Sequence, residues 1–483
     1  MNSQLKNNLE KTFMKLEGED YISNFYRYKL FSQDKKMYLL TVDDGNFIFL
    51  NSSAFKQLKR GKIIDEKVYF NLVEKGIIVT EENFSKLVSR TFKRYSFLEN
   101  GTSLHIVIPT NRCNQGCHYC FAEPEKINAN KEDNDMSEET AIKTIEYIMK
   151  SPSSAITIEY TGGEALIRFD LVKLMTLYAR ELNLKYKKDL RITIVTNLTM
   201  MNDEMANWLI DNEVTICTSL DGPKKIHNAN RVILAKDGKE IATYDTVIFW
   251  IKKINEMYKE KGLKYNVNAL PTITKYSLKY WKEIIDLYVE LGMKIVDIRA
   301  MFSIGRGVEE TKDPNFYSGE EFIEFYEKCL HYIEKLRFKG ININDRMREL
   351  YEIKVLENRP TYHADFESPW GAATGSVTYF NDGTIYACHE AIGKDEFKLG
   401  NIYKDSWKDI FNKKETAFTV ISSMLEANSK CDSDPYKPYD STLPIENYYK
   451  FGKFNFYPEK TLRHFETKFH CDRIFNEVLK KIV

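Results

Sequence analysis

Short apolar stretches alternate with amphipathic helical patterns from residue 103 to about residue 302, and this alternation limits the possible folds more than any other feature of the sequence. Strands are predicted at residues 104–109, 155–160, 190–196, 214–219, 265–273 and 295–302. Helical patterns are predicted between them, at residues 138–150, 171–182, 203–212, 244–261 and 278–291. Strands that alternate with helices form a parallel sheet with right-handed crossovers. The sequence therefore predicts an α/β fold built on a partial six-stranded barrel, with its functional residues at the carboxyl ends of the strands.

Length, charge and composition exclude several other classes of protein. The 483 residues suffice for several domains, and a hydrophobic fraction of 43% excludes a disordered chain. The 70 Lys and Arg residues balance the 70 Asp and Glu residues, so the net charge indicates neither a nucleic-acid nor a membrane partner. No apolar run approaches the length of a membrane span, and residues 1–24 lack the apolar core of a signal peptide. We therefore expect a cytoplasmic protein.

The chain is predicted to divide into four regions. Residues 1–95 form an N-terminal domain with a linker, residues 96–305 the barrel, residues 306–365 a helical bridge and residues 366–483 a C-terminal extension. In the first region, two β-rich runs within residues 37–50 surround Asp44 and Gly45, which together are a strong hairpin signal. Helical patterns at residues 52–60 and 65–74 follow, so we expect a small winged-helix-like domain. Two more helices are predicted at residues 319–338 and 344–356.

Three of the eight cysteines lie within eight positions, directly after the first predicted strand of the barrel. Cys113, Cys117 and Cys120 can ligate three irons of a [4Fe–4S] cluster, whereas a cluster held entirely by protein normally has four cysteine ligands. The fourth iron would then be open, as is typical of a catalytic metal centre. The alternative is a zinc site that uses the same thiols with His118 or a distant ligand. Zinc knuckles favour a partner Cys-x2-Cys pair, and the sequence contains none.

The Cys-x3-Cys-x2-Cys motif after the first strand of a six-stranded α/β barrel resembles the radical S-adenosylmethionine (SAM) enzymes. In that family, SAM chelates the open iron through its amino and carboxylate groups. One electron from the reduced cluster then cleaves SAM, and the 5′-deoxyadenosyl radical that forms abstracts hydrogen from the substrate. The resemblance implies that Cys113, Cys117 and Cys120 are the metal ligands and catalytic residues, and that Tyr119 borders the adenine.

The ends of the next three strands extend this resemblance. Gly162, Gly163 and Glu164 match the Gly-Gly-Glu motif of the family, in which the carboxylate accepts from the ammonium of SAM. Asn197 follows the third strand, where the family often has a polar contact to SAM. After the fourth strand, the resemblance assigns Ser219 and Asp221 to the ribose hydroxyls and Arg231 to the SAM carboxylate. Considered without the resemblance, the Gly-Gly pair is equally typical of any tight strand exit, and the residues after the fourth strand could be a Pro-Gly turn with a surface arginine.

The C-terminal region resembles a degenerate form of the SPASM extension, which carries auxiliary iron–sulfur clusters in enzymes that modify peptides and proteins. That extension has seven cluster-ligand positions, and only three of them are cysteines in this chain. The residues at the seven positions are Trp370, Cys388, Cys431, Asp434, Asp440, Pro444 and Cys471. Carboxylates are hard ligands and replace thiolates poorly on iron–sulfur clusters. We therefore expect one [4Fe–4S] cluster and no auxiliary cluster. The alternative role of the three cysteines is that of small buried apolar residues, as we also expect for Cys217 and Cys329.

Two further resemblances concern the substrate. Residues 37–79 resemble the PqqD-like element that binds the leader of a precursor peptide by adding a strand to a sheet edge. Residues 438–475 resemble the tail of the His-Xaa-Ser-system maturases. The predicted function is that of a radical SAM maturase that oxidatively modifies or crosslinks a ribosomally made precursor peptide. Its reducing partner would be a flavodoxin or ferredoxin. The alternatives are a sulfatase-maturase-like oxidation of a protein side chain and a non-catalytic peptide-binding partner.

Overall fold

The architecture is taken from a computed structural model, which describes residues 22–234, 239–307, 316–455, 459 and 461–482. The part of the N-terminal domain that precedes residue 22 thus lies outside the described residues. None of the described helices is both long and apolar enough to cross a membrane.

The barrel strands lie side by side in the order of the chain. Leu104–Val107, Ala155–Tyr160, Asp189–Thr196, Val214–Ser219 and Asn268–Leu270 pair in parallel, each with the next. The chain continues into Thr272–Ile273, which pairs in parallel with Arg299–Ala300. Helices connect the strands, and the principal ones are Glu138–Met149, Phe169–Tyr186, Asp203–Asp211, Tyr244–Glu260 and Trp281–Glu290. The α/β fold with a partial six-stranded barrel is therefore confirmed.

The last two barrel strands differ from the sequence prediction. The predicted strand 265–273 consists of two short strands, Asn268–Leu270 and Thr272–Ile273, and the predicted strand 295–302 consists of Ile295–Val296 and Arg299–Ala300. Ile295–Val296 leaves the barrel sheet and pairs with Asn344–Asp345. A run of apolar residues does not show where a strand changes its partner, because that depends on neighbours elsewhere in the chain.

The described part of the N-terminal region contains three strands more than the predicted hairpin. Tyr26–Ser32, Met37–Val42 and Phe47–Asn51 form a three-stranded antiparallel sheet, and Ile22–Ser23 pairs with Ile78–Val79. Helices Ser52–Lys59, Glu66–Glu74 and Glu81–Tyr95 follow. Asn51 caps the first helix and Asp65 the second, each by accepting from backbone N–H groups with its side chain.

This N-terminal sheet buries both of its faces. Leu40 and Leu50 pack with the first two helices in a small core of their own. Leu39 and Phe49 point to the opposite face and belong to the main hydrophobic core, where Phe49 meets Phe475 of the C-terminal helix with ring centroids 6.3 Å apart. Alternation of side chains along a strand explains how neighbouring residues serve two cores. The sheet is thereby attached to the C-terminal region.

The C-terminal region adds strands to the barrel sheet. Ser376–Tyr379 pairs in parallel with the first barrel strand, and Thr384–Tyr386 and Lys398–Asn401 continue the sheet in antiparallel fashion. The helices of residues 316–482 are Gly319–Phe338, Arg346–Val355, Trp407–Asn412, Lys414–Ser423, Pro444–Phe451 and Leu462–Ile482. Because the extension continues the barrel sheet directly, its loops lie beside the loop that follows the first strand: His389 meets Phe121 with ring centroids 4.9 Å apart.

Candidate functional site

The cysteine loop leaves the first barrel strand and is attached to neighbouring segments by backbone hydrogen bonds. Gly116 donates to the carbonyl of Val232 at 2.8 Å, just beyond the fourth strand. Arg306, just beyond the last strand, donates its backbone N–H to the carbonyl of Cys120 at 3.1 Å. The loop is thus held from two sides of the barrel. Cys117 is buried, and Cys113 and Cys120 are partly exposed.

The surroundings of the three thiols favour their neutral form. Burial raises the pKa of Cys117 to about 11, and burial likewise raises the pKa of Cys113 and of Cys120 above the usual value. A thiolate at such a position requires a compensating positive charge. Metal ions supply that charge, because they bind the deprotonated thiol.

The spacing of the thiols distinguishes a cluster from a single zinc ion. Tetrahedral zinc with Zn–S bonds of about 2.3 Å would hold its sulfurs about 3.8 Å apart. Three or more ligand atoms of His, Cys, Asp or Glu lie within 4.8 Å of one another at one place in the part of the chain that the structure describes. That set is formed by Asp434, Asp440 and His464. The three thiols are spread more widely, and His118 is exposed. This wider spacing disfavours a single zinc ion held by all three thiols.

The Gly-Gly turn after the second strand lies directly against the start of the cysteine loop. Gly163 donates to the carbonyl of Thr110 at 3.1 Å, and Glu164 donates to the carbonyl of Arg112 at 2.9 Å. A Cβ atom on Gly163 would lie 2.2 Å from the carbonyl oxygen of Arg112, and Gly162 has a φ of +125°. Both glycines are therefore required by the close approach of two backbone segments, one of which continues into Cys113.

Gly163→Ala is expected to lower the free energy of unfolding by about 1–3 kcal/mol, because the new methyl group overlaps a backbone carbonyl that cannot rotate away. It should also reduce the iron retained after reconstitution, since Arg112 precedes Cys113. Denaturant unfolding and iron analysis measure the two effects. Gly340→Ala is the control for iron retention: an alanine is strained at its φ of +83°, but its Cβ would meet nothing within 4 Å, so this variant should lose stability and keep its iron. Full iron retention by Gly163→Ala would contradict this account.

Glu164 joins the second and third strands below this turn. One carboxylate oxygen accepts from the hydroxyl of Thr196 at 2.7 Å, and the other accepts from the backbone N–H of Asn197 at 2.8 Å. Burial raises the pKa of Glu164, although these hydrogen bonds favour its charged form. Asn197 in turn donates to the side chain of Asn114 in the cysteine loop at 2.9 Å. Sequence reasoning missed Asn114, although its position next to Cys113 could have indicated it.

Asp221 is the centre of a second network, beyond the fourth strand. Its buried carboxylate accepts from the hydroxyl of Tyr119 at 2.5 Å, from the amide of Asn230 at 3.0 Å and from Nε of Arg231 at 3.1 Å. It also accepts from the backbone N–H of Thr272 at 3.2 Å. Sequence reasoning missed Asn230 and Thr272, whose types and positions carry no signal.

The structure brings the predicted residues together at one end of the barrel, in two groups. Glu164 and Asn197 form one group, and Tyr119, Asp221 and Arg231 form the other. Ser219 lies at the end of the fourth strand, paired with Leu270 of the fifth. The partners of Asp221 and Arg231 described above are protein groups, so their assignment to the ribose and the carboxylate of SAM stays a prediction.

The positions of the degenerate extension do not form a set of soft ligands. Trp370 is buried and donates its indole N–H to Asp365 at 3.0 Å. Asp440 contacts Nδ1 of His464 at 2.7 Å and accepts from the hydroxyl of Thr467 at 2.8 Å, while Asp434 lies 3.7 Å from the same His464 nitrogen. Pro444 begins a helix. Cys388, Cys431 and Cys471 are buried free thiols.

Comparison with protein families and with other sequences gives two results. The model of the Radical SAM superfamily matches residues 107–288. The cysteine-type anaerobic sulfatase-maturating enzyme of Clostridium perfringens is 24% identical over 335 residues, which cover 68% of this chain and 85% of that enzyme.

Two solved structures share the fold. The structure of native anSMEcpe with bound AdoMet superposes with a TM-score of 0.64 at 17% identity and covers 78% of this chain and 98% of its own. The structure of Streptococcus suis SuiB bound to the precursor peptide SuiA superposes with a TM-score of 0.54 at 15% identity and covers 92% of this chain and 99% of its own. The similarity to SuiB thus extends over more of this chain than the similarity to anSMEcpe.

Proposed function

We propose that this chain, which is a radical SAM enzyme, oxidatively modifies or crosslinks a ribosomally made precursor peptide. The main support for the proposal is that the N-terminal sheet packs on the same hydrophobic core as the barrel and the extension. SuiB, whose structure contains a precursor peptide, is similar to 92% of this chain.

The N-terminal sheet offers an outer strand for peptide binding. Tyr26–Ser32 pairs only with Met37–Val42 within the three-stranded sheet of the described chain. Tyr28 and Leu30 of this strand are exposed. An extended peptide can add to such an edge through backbone hydrogen bonds, while side chains such as these select its sequence. This arrangement supports the recognition of a peptide leader.

Polar side chains face the inside of the barrel. Glu159 and Cys217 lie at alternating positions of their strands, on the side opposite the buried Ile158 and Ile216. Arg299 contributes a guanidinium that is 36% exposed and pairs with Asp297 at 2.7 Å. Burial raises the pKa of Glu159 to about 7. Such a lining suits a peptide with polar groups better than an apolar small molecule.

When bound, the cluster and SAM supply the 5′-deoxyadenosyl radical. We assign the cluster to Cys113, Cys117 and Cys120, and SAM to the residues at the strand ends; these are Tyr119, Gly162, Gly163, Glu164, Asn197, Ser219, Asp221 and Arg231. The protein residues hold the cysteine loop and orient the substrate, whereas the radical chemistry belongs to the cofactors. The electron would come from a flavodoxin or ferredoxin.

The proposal is tested with each short peptide encoded beside the gene. Reconstituted enzyme, SAM and a strong reductant are incubated with the peptide, and the product is analysed by mass spectrometry. We expect the loss of two hydrogen atoms for each bond formed, with one 5′-deoxyadenosine released per bond. The Cys113→Ala variant is the control and should leave the peptide unchanged. If the enzyme forms 5′-deoxyadenosine but modifies none of these peptides, the peptide assignment is wrong.

The second candidate function is the oxidation of a cysteine or serine side chain in a sulfatase. The 24% identity to the clostridial sulfatase-maturating enzyme favours it. A peptide with a sulfatase-type cysteine, added to the same assay, distinguishes the two: conversion of the thiol to an aldehyde would support this candidate. We place it second because the enzymes it resembles usually depend on complete auxiliary clusters.

Anaerobically reconstituted protein is expected to bind about four irons per chain, the content of one [4Fe–4S] cluster. The reason is that Cys388, Cys431 and Cys471 provide at most three soft ligands, and Asp434 and Asp440 already bind His464. Iron and sulfide analysis with electron paramagnetic resonance (EPR) measures the content. A variant with these three cysteines changed to alanine should keep its iron. About eight or twelve irons per chain would show that an auxiliary cluster forms.

A further inference from the structure

We propose that Arg231 is a positioning residue of the radical cluster: it donates a hydrogen bond to the sulfur of Cys117 and thereby raises the reduction potential of the cluster. The juxtaposition is direct. Nη1 of Arg231 lies 3.9 Å from Sγ of Cys117, across 114 positions of the chain. The side chain is only 11% exposed, so water competes little for this contact.

Two contacts fix the orientation of the guanidinium. Nε of Arg231 lies 3.1 Å from both carboxylate oxygens of Asp221. The guanidinium carbon lies 5.2 Å from the ring centroid of Tyr119, whose hydroxyl donates to the same carboxylate. Tyr119 belongs to the cysteine loop, so the network attaches the loop and the guanidinium to each other. An arginine held in this way presents Nη1 to one sulfur.

The same contacts limit how Arg231 can bind a free carboxylate. A bidentate grip on a free carboxylate uses two parallel N–H groups of one guanidinium. Here Nε donates to Asp221 and Nη1 donates to Cys117. Each of the two bidentate edges of the guanidinium, Nε with Nη2 and Nη1 with Nη2, therefore already has one N–H group bound to a protein atom. Asp221 supplies the negative charge that compensates the buried guanidinium of Arg231.

A donor on a ligating sulfur affects the reduction potential of a cluster. Hydrogen bonds to the sulfurs and nearby positive charge both stabilise the additional electron of the reduced state, which raises the potential. The donor of Arg231 reaches the sulfur of the most buried of the three cysteines. A hydrogen bond to the sulfur of Cys117 should therefore change the reduction potential more than one to the other two sulfurs, because solvent screens it least.

Arg306 provides a matched comparison at the same loop. Its Nη1 donates to the backbone carbonyl of Cys117 at 3.4 Å. Arg306 therefore places a similar charge near the same cysteine without a hydrogen bond to the sulfur. Substitutions at the two positions separate the effect of the hydrogen bond from the effect of a nearby charge.

The experiment is a potentiometric titration of the reconstituted protein without SAM, followed by EPR. We expect Arg231→Gln to raise the ratio of oxidised to reduced cluster at a fixed potential about tenfold, which for one electron is a shift of about 59 mV to more negative potential. Arg231→Lys keeps the charge but cannot donate to Asp221 and Cys117 at once, so it should shift in the same direction. Arg306→Gln should change the ratio less than threefold.

The absence of SAM makes the result decisive. If Arg231 acts only by binding SAM, the potential of Arg231→Gln equals that of the wild type, and the proposal is overturned. Equal shifts in Arg231→Gln and Arg306→Gln would also overturn it, because they would reflect charge alone. If Arg231→Gln retains too little iron to titrate, Arg231→Lys decides: an unchanged potential refutes the hydrogen bond, and a negative shift supports it.

Discussion

A variant in which Cys113, Cys117 and Cys120 are all replaced by alanine is expected to form no 5′-deoxyadenosine from SAM. The three thiols are the proposed ligands of the cluster that reduces SAM, and without them no iron remains at the barrel mouth. The three residues lie on a loop outside the main hydrophobic core, so the fold should survive. Chromatography of the small-molecule products after anaerobic incubation with SAM and dithionite measures the effect.

Cys329→Ala is the matched control for this result. Cys329 is completely buried in helix Gly319–Phe338, away from the cysteine loop. Its replacement should leave the iron content and the cleavage of SAM unchanged. The assignment of the cluster would be wrong if the triple variant still formed 5′-deoxyadenosine, or if Cys329→Ala lost it to the same degree.

The second large effect is expected from Asp440→Ala in the extension. Asp440 is buried and contacts His464 at 2.7 Å, and it also accepts from the hydroxyl of Thr467. Removing one partner of a buried charged pair costs about 3–5 kcal/mol. In Asp440→Ala, His464 would keep only Asp434, 3.7 Å from Nδ1, as a compensating charge. Denaturant unfolding at pH 6 measures the loss of free energy of unfolding.

Glu324→Ala serves as the control. Glu324 pairs with Lys328 at 2.7 Å, and the two side chains are 69% and 50% exposed. Exposed ion pairs contribute about 0–1 kcal/mol. Equal losses of stability in Glu324→Ala and Asp440→Ala would show that the buried network around His464 is not the cause.

The stability that His464 contributes depends on pH in a defined direction. Burial alone would lower the pKa of His464, but the hydrogen bond to Asp440 and the charges of Asp440 and Asp434 raise it above the ordinary value of 6.5. The stabilising charge is therefore fully present below pH 6.5 and lost as the pH rises through the raised pKa. The difference in stability between the wild type and Asp440→Ala should consequently be larger at pH 6 than at pH 9.

The sequence predicted the barrel and its cysteine loop because both depend on local pattern. Apolar alternation marked the first four strands to within a few residues, and the structure brings the motifs after them to one end of the sheet. The interruptions of the fifth and sixth strands were missed, because the partner of a strand depends on residues elsewhere in the chain; Ile295–Val296, for example, pairs with Asn344–Asp345. The strand Tyr26–Ser32, which pairs with the adjacent strand Met37–Val42, was also missed.

The sequence by itself determined which ligand and turn residues are present. These are three cysteines at a characteristic spacing, a Gly-Gly turn and too few soft ligands in the extension. Only the tertiary structure decided which side chains meet. Tyr119, Asp221 and Arg231 join across about a hundred positions of the chain. Asp440 contacts His464, which lies 24 positions further along the chain in the C-terminal helix. Such pairings depend on how strands and helices pack in three dimensions. A charged group needs a protein partner only where that packing has removed it from water.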